Sequence, residues 1–129
     1  MVKKVLIVDD YPLDVELTRR VLLGCRDELE VVTVCDGEEA LRELSNEHDF
    51  DAVLLDLCLP KLDGFEVLKE LSSKPFLSDL PIIVLSSSRS ASDRVRTRML
   101  GAAQFVEKAL DYSEFKASLT KSLALHGFC

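Results

Sequence analysis

Five short apolar runs, separated by segments of helical spacing, constrain this chain more than any other feature. They are Val5-Leu6-Ile7-Val8, Val31-Val32-Thr33-Val34, Ala52-Val53-Leu54-Leu55, Ile82-Ile83-Val84-Leu85 and Ala102 to Val106, the last with Gln104 inside it. Each is too short for a helix, and their apolar character is continuous rather than alternating. Strands covered on both faces read this way, as in a parallel sheet. Between them, Leu13, Leu17 and Val21 recur every four residues behind Pro12, which suits a first helical turn. Ala40, Leu41 and Leu44 within Gly37 to Glu47, and Phe65, Leu68 and Leu71 from Gly64 onward, continue the pattern. Ser90 to Asp93 and Asp111 to Glu114 have the spacing of capping boxes. They open two further helices, one carrying Val95 and Met99, the other Phe115, Leu119 and Leu123. The alternation predicts a doubly wound α/β domain, a five-stranded parallel sheet with helices on both faces.

In such sheets ligands bind at the carboxyl ends of the strands. The polar residues fall there: Asp9 and Asp10 after the first run, Asp56 after the third, Ser86 after the fourth and Lys108 after the fifth. Cys35-Asp36-Gly37, after the second, reads as a plain turn. In the flavodoxin-like order 2-1-3-4-5, strands 1, 3, 4 and 5 are neighbours about 4.8 Å apart, so these groups converge on one edge. Asp56 is the most demanding of them. It sits in the almost wholly apolar stretch Asp51 to Pro60, where an ionised carboxylate must be paired, hydrogen-bonded or metal-bound. Three carboxylates and one ammonium sum to −2. A hard divalent cation balances that charge, and oxygen-only ligands favour Mg²⁺ over zinc. The cluster therefore suits magnesium-assisted phosphoryl transfer, which depends mostly on positioning and charge neutralisation.

Composition narrows the alternatives. At 129 residues, one domain spanning residues 1–129 is expected. Only Val5 to Val8 separate Met-Val-Lys-Lys from Asp9, which is too short for a signal peptide, and no apolar run approaches the ~18 residues of a membrane span. A net charge of −7 argues against a nucleic-acid binder. No C-x-x-C pair occurs among Cys25, Cys35, Cys58 and Cys129, and His48 and His126 have no ligand-like neighbours, so zinc spacing is absent. The cysteines are expected to remain reduced in a cytoplasmic protein, three of them as packing residues and Cys129 as a terminal one.

The chain resembles the receiver domain of two-component response regulators, the fold of the small chemotaxis regulator. The resemblance rests on Val8-Asp9-Asp10, on Leu55-Asp56 with Leu59-Pro60 and Asp63-Gly64, on Ser86 after the fourth strand, and on Phe105 with Lys108. It implies that Asp56 accepts a phosphoryl group from a phosphohistidine of a sensor histidine kinase. It further implies that Asp10, Asp56 and the backbone carbonyl of Cys58 bind Mg²⁺, with Asp9 acting mainly through water. Ser86 would hydrogen-bond the phosphoryl group and Lys108 would pair with it. Ser86 and Phe105 would then shift together and alter the face formed by the fourth helix, fifth strand and fifth helix. That face would meet a downstream protein target or a second copy of the chain. Such a receiver catalyses its own phosphorylation and slow self-dephosphorylation without turning over a substrate, and no output domain is expected within these residues.

Two positions depart from the family pattern. Ala109 follows Lys108 where the family usually has a proline with a cis bond. A cis Lys-Ala bond would cost roughly 2.5–4 kcal/mol, which leaves a strained cis loop or a trans one. Ser86 stands where threonine is more frequent. The Lys108-Ala109 junction and the Asp79-Leu80-Pro81-Ile82 lead into the fourth strand resemble single-domain regulators paired with bacterial phytochrome kinases. Arg89, Arg94, Arg96 and Arg98 cluster around the fourth helix, where Arg94 and Arg98 share a face as either a solvated stripe or a partner surface.

Three other readings compete. A receiver-fold interaction module independent of phosphorylation could dispense with the acids, yet all are present. A metal-dependent phosphohydrolase would need a second acid two residues after its nucleophile, where this chain has Cys58. A flavodoxin would place a hydroxyl-rich loop, not Asp9 and Asp10, at its phosphate site.

Overall fold

The computed structural model of the chain describes residues 2–44 and 48–129. Five strands, β1 (Lys3–Val8), β2 (Leu29–Val34), β3 (Ala52–Asp56), β4 (Ile82–Ser86) and β5 (Gln104–Glu107), form one parallel sheet in the order β2-β1-β3-β4-β5. Helices α1 (Pro12–Cys25), α2 (Gly37–Glu43), α3 (Gly64–Ser72), α4 (Ala91–Met99) and α5 (Tyr112–Leu125) alternate with them, and a short 3₁₀ turn (Pro75–Leu77) precedes β4. The expected α/β architecture and strand order are present. Of the helix expected over residues 37–47, the part at 45–47 lies outside the described residues.

Continuous hydrophobicity follows from the two-sided core. Successive side chains of a strand point to opposite faces. Leu6, Val8, Val53, Leu55 and Val84 pack with Ala40, Val67, Leu68 and Leu71 of α2 and α3. Their chain neighbours Val5, Ile7, Ala52, Leu54, Ile83 and Leu85 pack with Val21 and Leu22 of α1 and with Phe115, Leu119 and Leu123 of α5. The central strand β3 is buried along its whole length, Asp56 included.

Two helices differ from their sequence patterns. In α1 the buried residues are Thr18, Val21 and Leu22, while Leu13 is 56% exposed because it lies at the helix start, beyond the sheet edge. In α4 only Thr97 is buried; Val95 and Met99 point outward, 58% and 81% exposed. That helix lies against β5 at the rim of the sheet and needs no apolar stripe to attach it.

The cysteines also differ from expectation. Cys25 and Cys129 form a disulfide, with their Cα atoms 4.8 Å apart, whereas Cys35 and Cys58 are exposed thiols rather than packing residues. The cause lies at the end of α5. Gly127 takes the left-handed conformation, with φ +81°, and the Phe128 N–H donates to the Leu123 carbonyl at 2.9 Å. This is a Schellman reversal, and it drives Phe128 into the core beside Val21 and Leu22. Cys129 is thereby carried to the last residue of α1. A pair 104 residues apart carries no local spacing by which to be recognised.

Candidate functional site

The carboxyl edge of the sheet gathers the acids. Val8 pairs with Leu55 in register, so the residues that follow, Asp9 and Asp56, leave adjacent strands at the same height. The Asp9 N–H donates to the Val34 carbonyl at 3.1 Å, which continues the ladder by one residue and turns the side chain inward. There Asp9 is 3% exposed; its Oδ1 accepts the Tyr11 N–H at 3.0 Å and its Oδ2 accepts Lys108 Nζ at 3.0 Å. Asp56 Oδ1 accepts the Cys58 N–H at 3.2 Å and lies 3.5 Å from Lys108 Nζ. Asp10 faces solvent. One carboxylate oxygen from each of Asp9, Asp10 and Asp56 lies within 4.8 Å of the others. Such an all-oxygen donor set, with one member open to water, fits a hard divalent cation that retains part of its hydration shell.

Backbone packing fixes the loop beyond Asp56. The Gly64 N–H donates to the Leu57 carbonyl at 2.9 Å, and a β-carbon at Gly64 would fall on the Leu57 backbone and 2.6 Å from the Asp56 carbonyl oxygen. Only glycine allows α3 to start this close to the strand end. Asp63 caps that helix by accepting the Glu66 N–H at 3.0 Å. Asp36, placed in a plain turn by its sequence, is the buried N-cap of α2.

Burial is the main influence on Asp56. It pushes the carboxyl up to about 6; the charge of Lys108 opposes the rise and that of Asp9 adds to it. Burial also works against the charged form of Lys108. The hydrogen bond that the ammonium donates to Asp14, with the charges of Asp56 and Asp9, outweighs burial and holds the group above the ordinary lysine value.

Ser86 ends β4 opposite Glu107; it is buried, and its Oγ accepts the Ser88 N–H at 3.1 Å. Lys108 is tied to the same strand end, its N–H donating to the Ser86 carbonyl at 2.7 Å. The Lys108-Ala109 bond is trans, as are all described peptide bonds. A trans junction without proline therefore still brings the ammonium onto the acids. Phe105 is half-buried in β5, and the Arg94 guanidinium lies over its ring at 4.6 Å. Arg94 and Arg98 line a groove of about 330 Å³ between α4 and β5 together with Phe105. Arg96 stacks over Phe65 at 3.9 Å and Arg89 pairs with Glu107 at 2.8 Å, while all four arginines remain exposed.

Sequence reasoning missed Asp14. Its Oδ2 accepts Lys108 Nζ at 2.9 Å, the shortest of that ammonium's three contacts. An acid in the first turn of a helix reads as a complement to the helix dipole, and that reading conceals it. Its spacing of five residues from Asp9, across the turn that opens α1, is the signal that would have found it.

Among the described residues no helix is long and apolar enough to cross a membrane. The response regulator receiver domain family matches residues 5–120. A probable transcriptional regulator, ycf27 of Cyanophora paradoxa, is 40% identical over 124 residues, covering 94% of this chain and 48% of its own length. The chain thus spans about half the length of that curated relative. Among solved structures, the phosphorylated cyanobacterial phytochrome response regulator RcpA superposes with a TM-score of 0.88 at 34% identity, covering 97% of this chain and 94% of that one. The Mn²⁺-bound form of the response regulator Rcp1 gives 0.83 at 27% identity, over 95% and 92%. With its fold, its strand order and the match along nearly its whole length, this chain belongs to the response regulator receiver domains of two-component signalling.

Proposed function

We propose that the chain is the phosphoacceptor of a two-component phosphorelay and that Asp56 takes the phosphoryl group from a phosphohistidine of a sensor histidine kinase. One observation carries this reading: Asp56 meets Asp9, Asp10 and Lys108 at a single sheet edge. An Asp56 carboxylate oxygen bonds to phosphorus while the phosphorus–nitrogen bond to the donor imidazole breaks, and the nitrogen leaves with the electron pair. Asp10, Asp56 and the backbone carbonyl of Cys58 would hold Mg²⁺, with Asp9 contributing mainly through water. Bound there, the ion supplies charge neutralisation for the phosphoryl oxygens. Lys108 pairs with the new phosphoryl group. Ser86 donates its hydroxyl to it, a proton left free because the oxygen presently only accepts from Ser88.

Phosphorylation adds about one negative charge and three acceptor oxygens at the edge. Ser86 and Phe105 answer by shifting together, and the face of α4, β5 and α5 changes its fit to a downstream protein or a second copy. Arg94 and Arg98 belong to that face. The protein works in the cytoplasm by contact and self-hydrolysis, not by turning over an external substrate. The likeness to RcpA, 34% identical over 97% of this chain, supports a bacterial phytochrome as the kinase.

Incubation with Mg²⁺ and a small phosphodonor should give one phosphoryl adduct by intact mass. It should vanish with chelator and in Asp56→Asn. No adduct, or one that persists in Asp56→Asn, would sink the reading. A phytochrome kinase that transfers nothing to a chain labelled by the small donor would remove the kinase assignment alone.

A further inference from the structure

We propose that Asp14 is a positioning residue that holds Lys108 in a resting place and competes with the phosphoryl group for it; this rests on the phosphoacceptor reading above. The ammonium sits among three carboxylates, 2.9 Å from Asp14, 3.0 Å from Asp9 and 3.5 Å from Asp56. It therefore hydrogen-bonds Asp9, just after β1, and Asp14 of α1, and only approaches the acceptor. Asp9 and Asp56 belong to the oxygen cluster suited to a cation, whereas Asp14 does not. When the cation is bound, Asp9 and Asp56 share their charge with it. Asp14 is then the acid that keeps a full hold on Lys108.

Space permits the exchange. A cavity of about 40 Å³ adjoins the ammonium, bounded by Asp14, Thr18, Lys108, Ala109 and Phe115, and is large enough for one water. Thr18 Oγ1, buried in its wall, has no hydrogen-bond partner among the described residues. A water can therefore take the place of the ammonium beside Asp14 and Thr18 when Lys108 moves toward Asp56. That competition favours the unphosphorylated state and shortens the time the acyl phosphate occupies the site.

The test uses beryllofluoride, a phosphoryl mimic, titrated with Mg²⁺ into the full chain by calorimetry. A partly exposed, charge-assisted hydrogen bond is lost in Asp14→Asn, so the mimic should bind about three- to tenfold tighter. The acyl phosphate should persist longer by a similar factor. Asp14→Glu should behave like the parent. In a Lys108→Gln background, Asp14→Asn should change nothing, because the effect passes through the ammonium. An unchanged affinity in Asp14→Asn, or an equal gain in the Lys108→Gln background, would overturn the proposal. A parent chain that binds no mimic would instead overturn the phosphoacceptor reading. The Lys108 Nζ chemical shift, compared between the parent and Asp14→Asn without any mimic, then still decides the contact, and an unchanged shift overturns it.

Discussion

Asp56 carries a cost in the folded protein that its unfolded chain does not. Burial raises its carboxyl from 3.8 to about 6, so the native state holds the proton more tightly than the unfolded one. The sign follows from linkage. The destabilisation begins as pH rises through the unfolded value, grows until the folded value is passed, and is complete above about 6. Asp56→Asn removes it. In chelator at pH 7.5 that variant should be more stable to urea by about 1–3 kcal/mol, the upper figure being the full shift at 1.36 kcal/mol per unit. The gain should shrink at pH 4 and in saturating Mg²⁺, since a bound cation offsets the same charge. An unaltered or lower midpoint in chelator would contradict this account. The same physics made Asp56 legible in the sequence, because an acid at the end of an apolar strand has few innocent explanations. Lys108 was legible by its strand end. Asp14 was not, because a helix's first turn attracts acids for a reason unconnected with any site.

At the scale of elements, the β-branched runs located all five strands, with the described bounds of β5 starting two residues later than its run. Helices that face the sheet squarely were also readable. Phe115, Leu119 and Leu123 of α5 are all buried. The rim helix α4 was not, because Val95 and Met99 have the spacing of a core stripe and yet face outward. What holds α4 in place is partly aromatic, with Arg94 over Phe105 of β5 and Arg96 over Phe65 of α3. That arrangement ties a surface arginine to the residue we assign to the switch. Replacing Arg94 and Arg98 together with alanine should leave the initial rate of Mg²⁺-dependent adduct formation within about twofold, as expected for exposed charges remote from the acids. Phosphodonor-induced changes in the Phe105 ring signals should be altered in the same variant. Loss of adduct formation would show that these arginines serve the chemistry instead of the response.

At the scale of the molecule, the sheet has a chemical end and a clasped end. Acids, lysine and hydroxyl gather at the carboxyl edge, while the disulfide joins the end of α1 to the residue after Phe128 near the start of β1, where Lys3 lies 5.1 Å from the Phe128 ring. The clasp closes a loop spanning most of the chain, and a cross-link of that reach restricts the unfolded state by about 2–4 kcal/mol in typical cases. For a chain of 129 residues this corresponds to roughly 7–15 °C in Tm. Reductant should lower the melting temperature of the parent by that amount and leave Cys129→Ser unaffected, already at the lower value. Because the bond lies at the opposite end from Asp56, the reduced protein at 25 °C should form the phosphoryl adduct at the parent rate. A slower rate on reduction would mean that the two ends communicate through α1, which carries Asp14 near its start and Cys25 at its close.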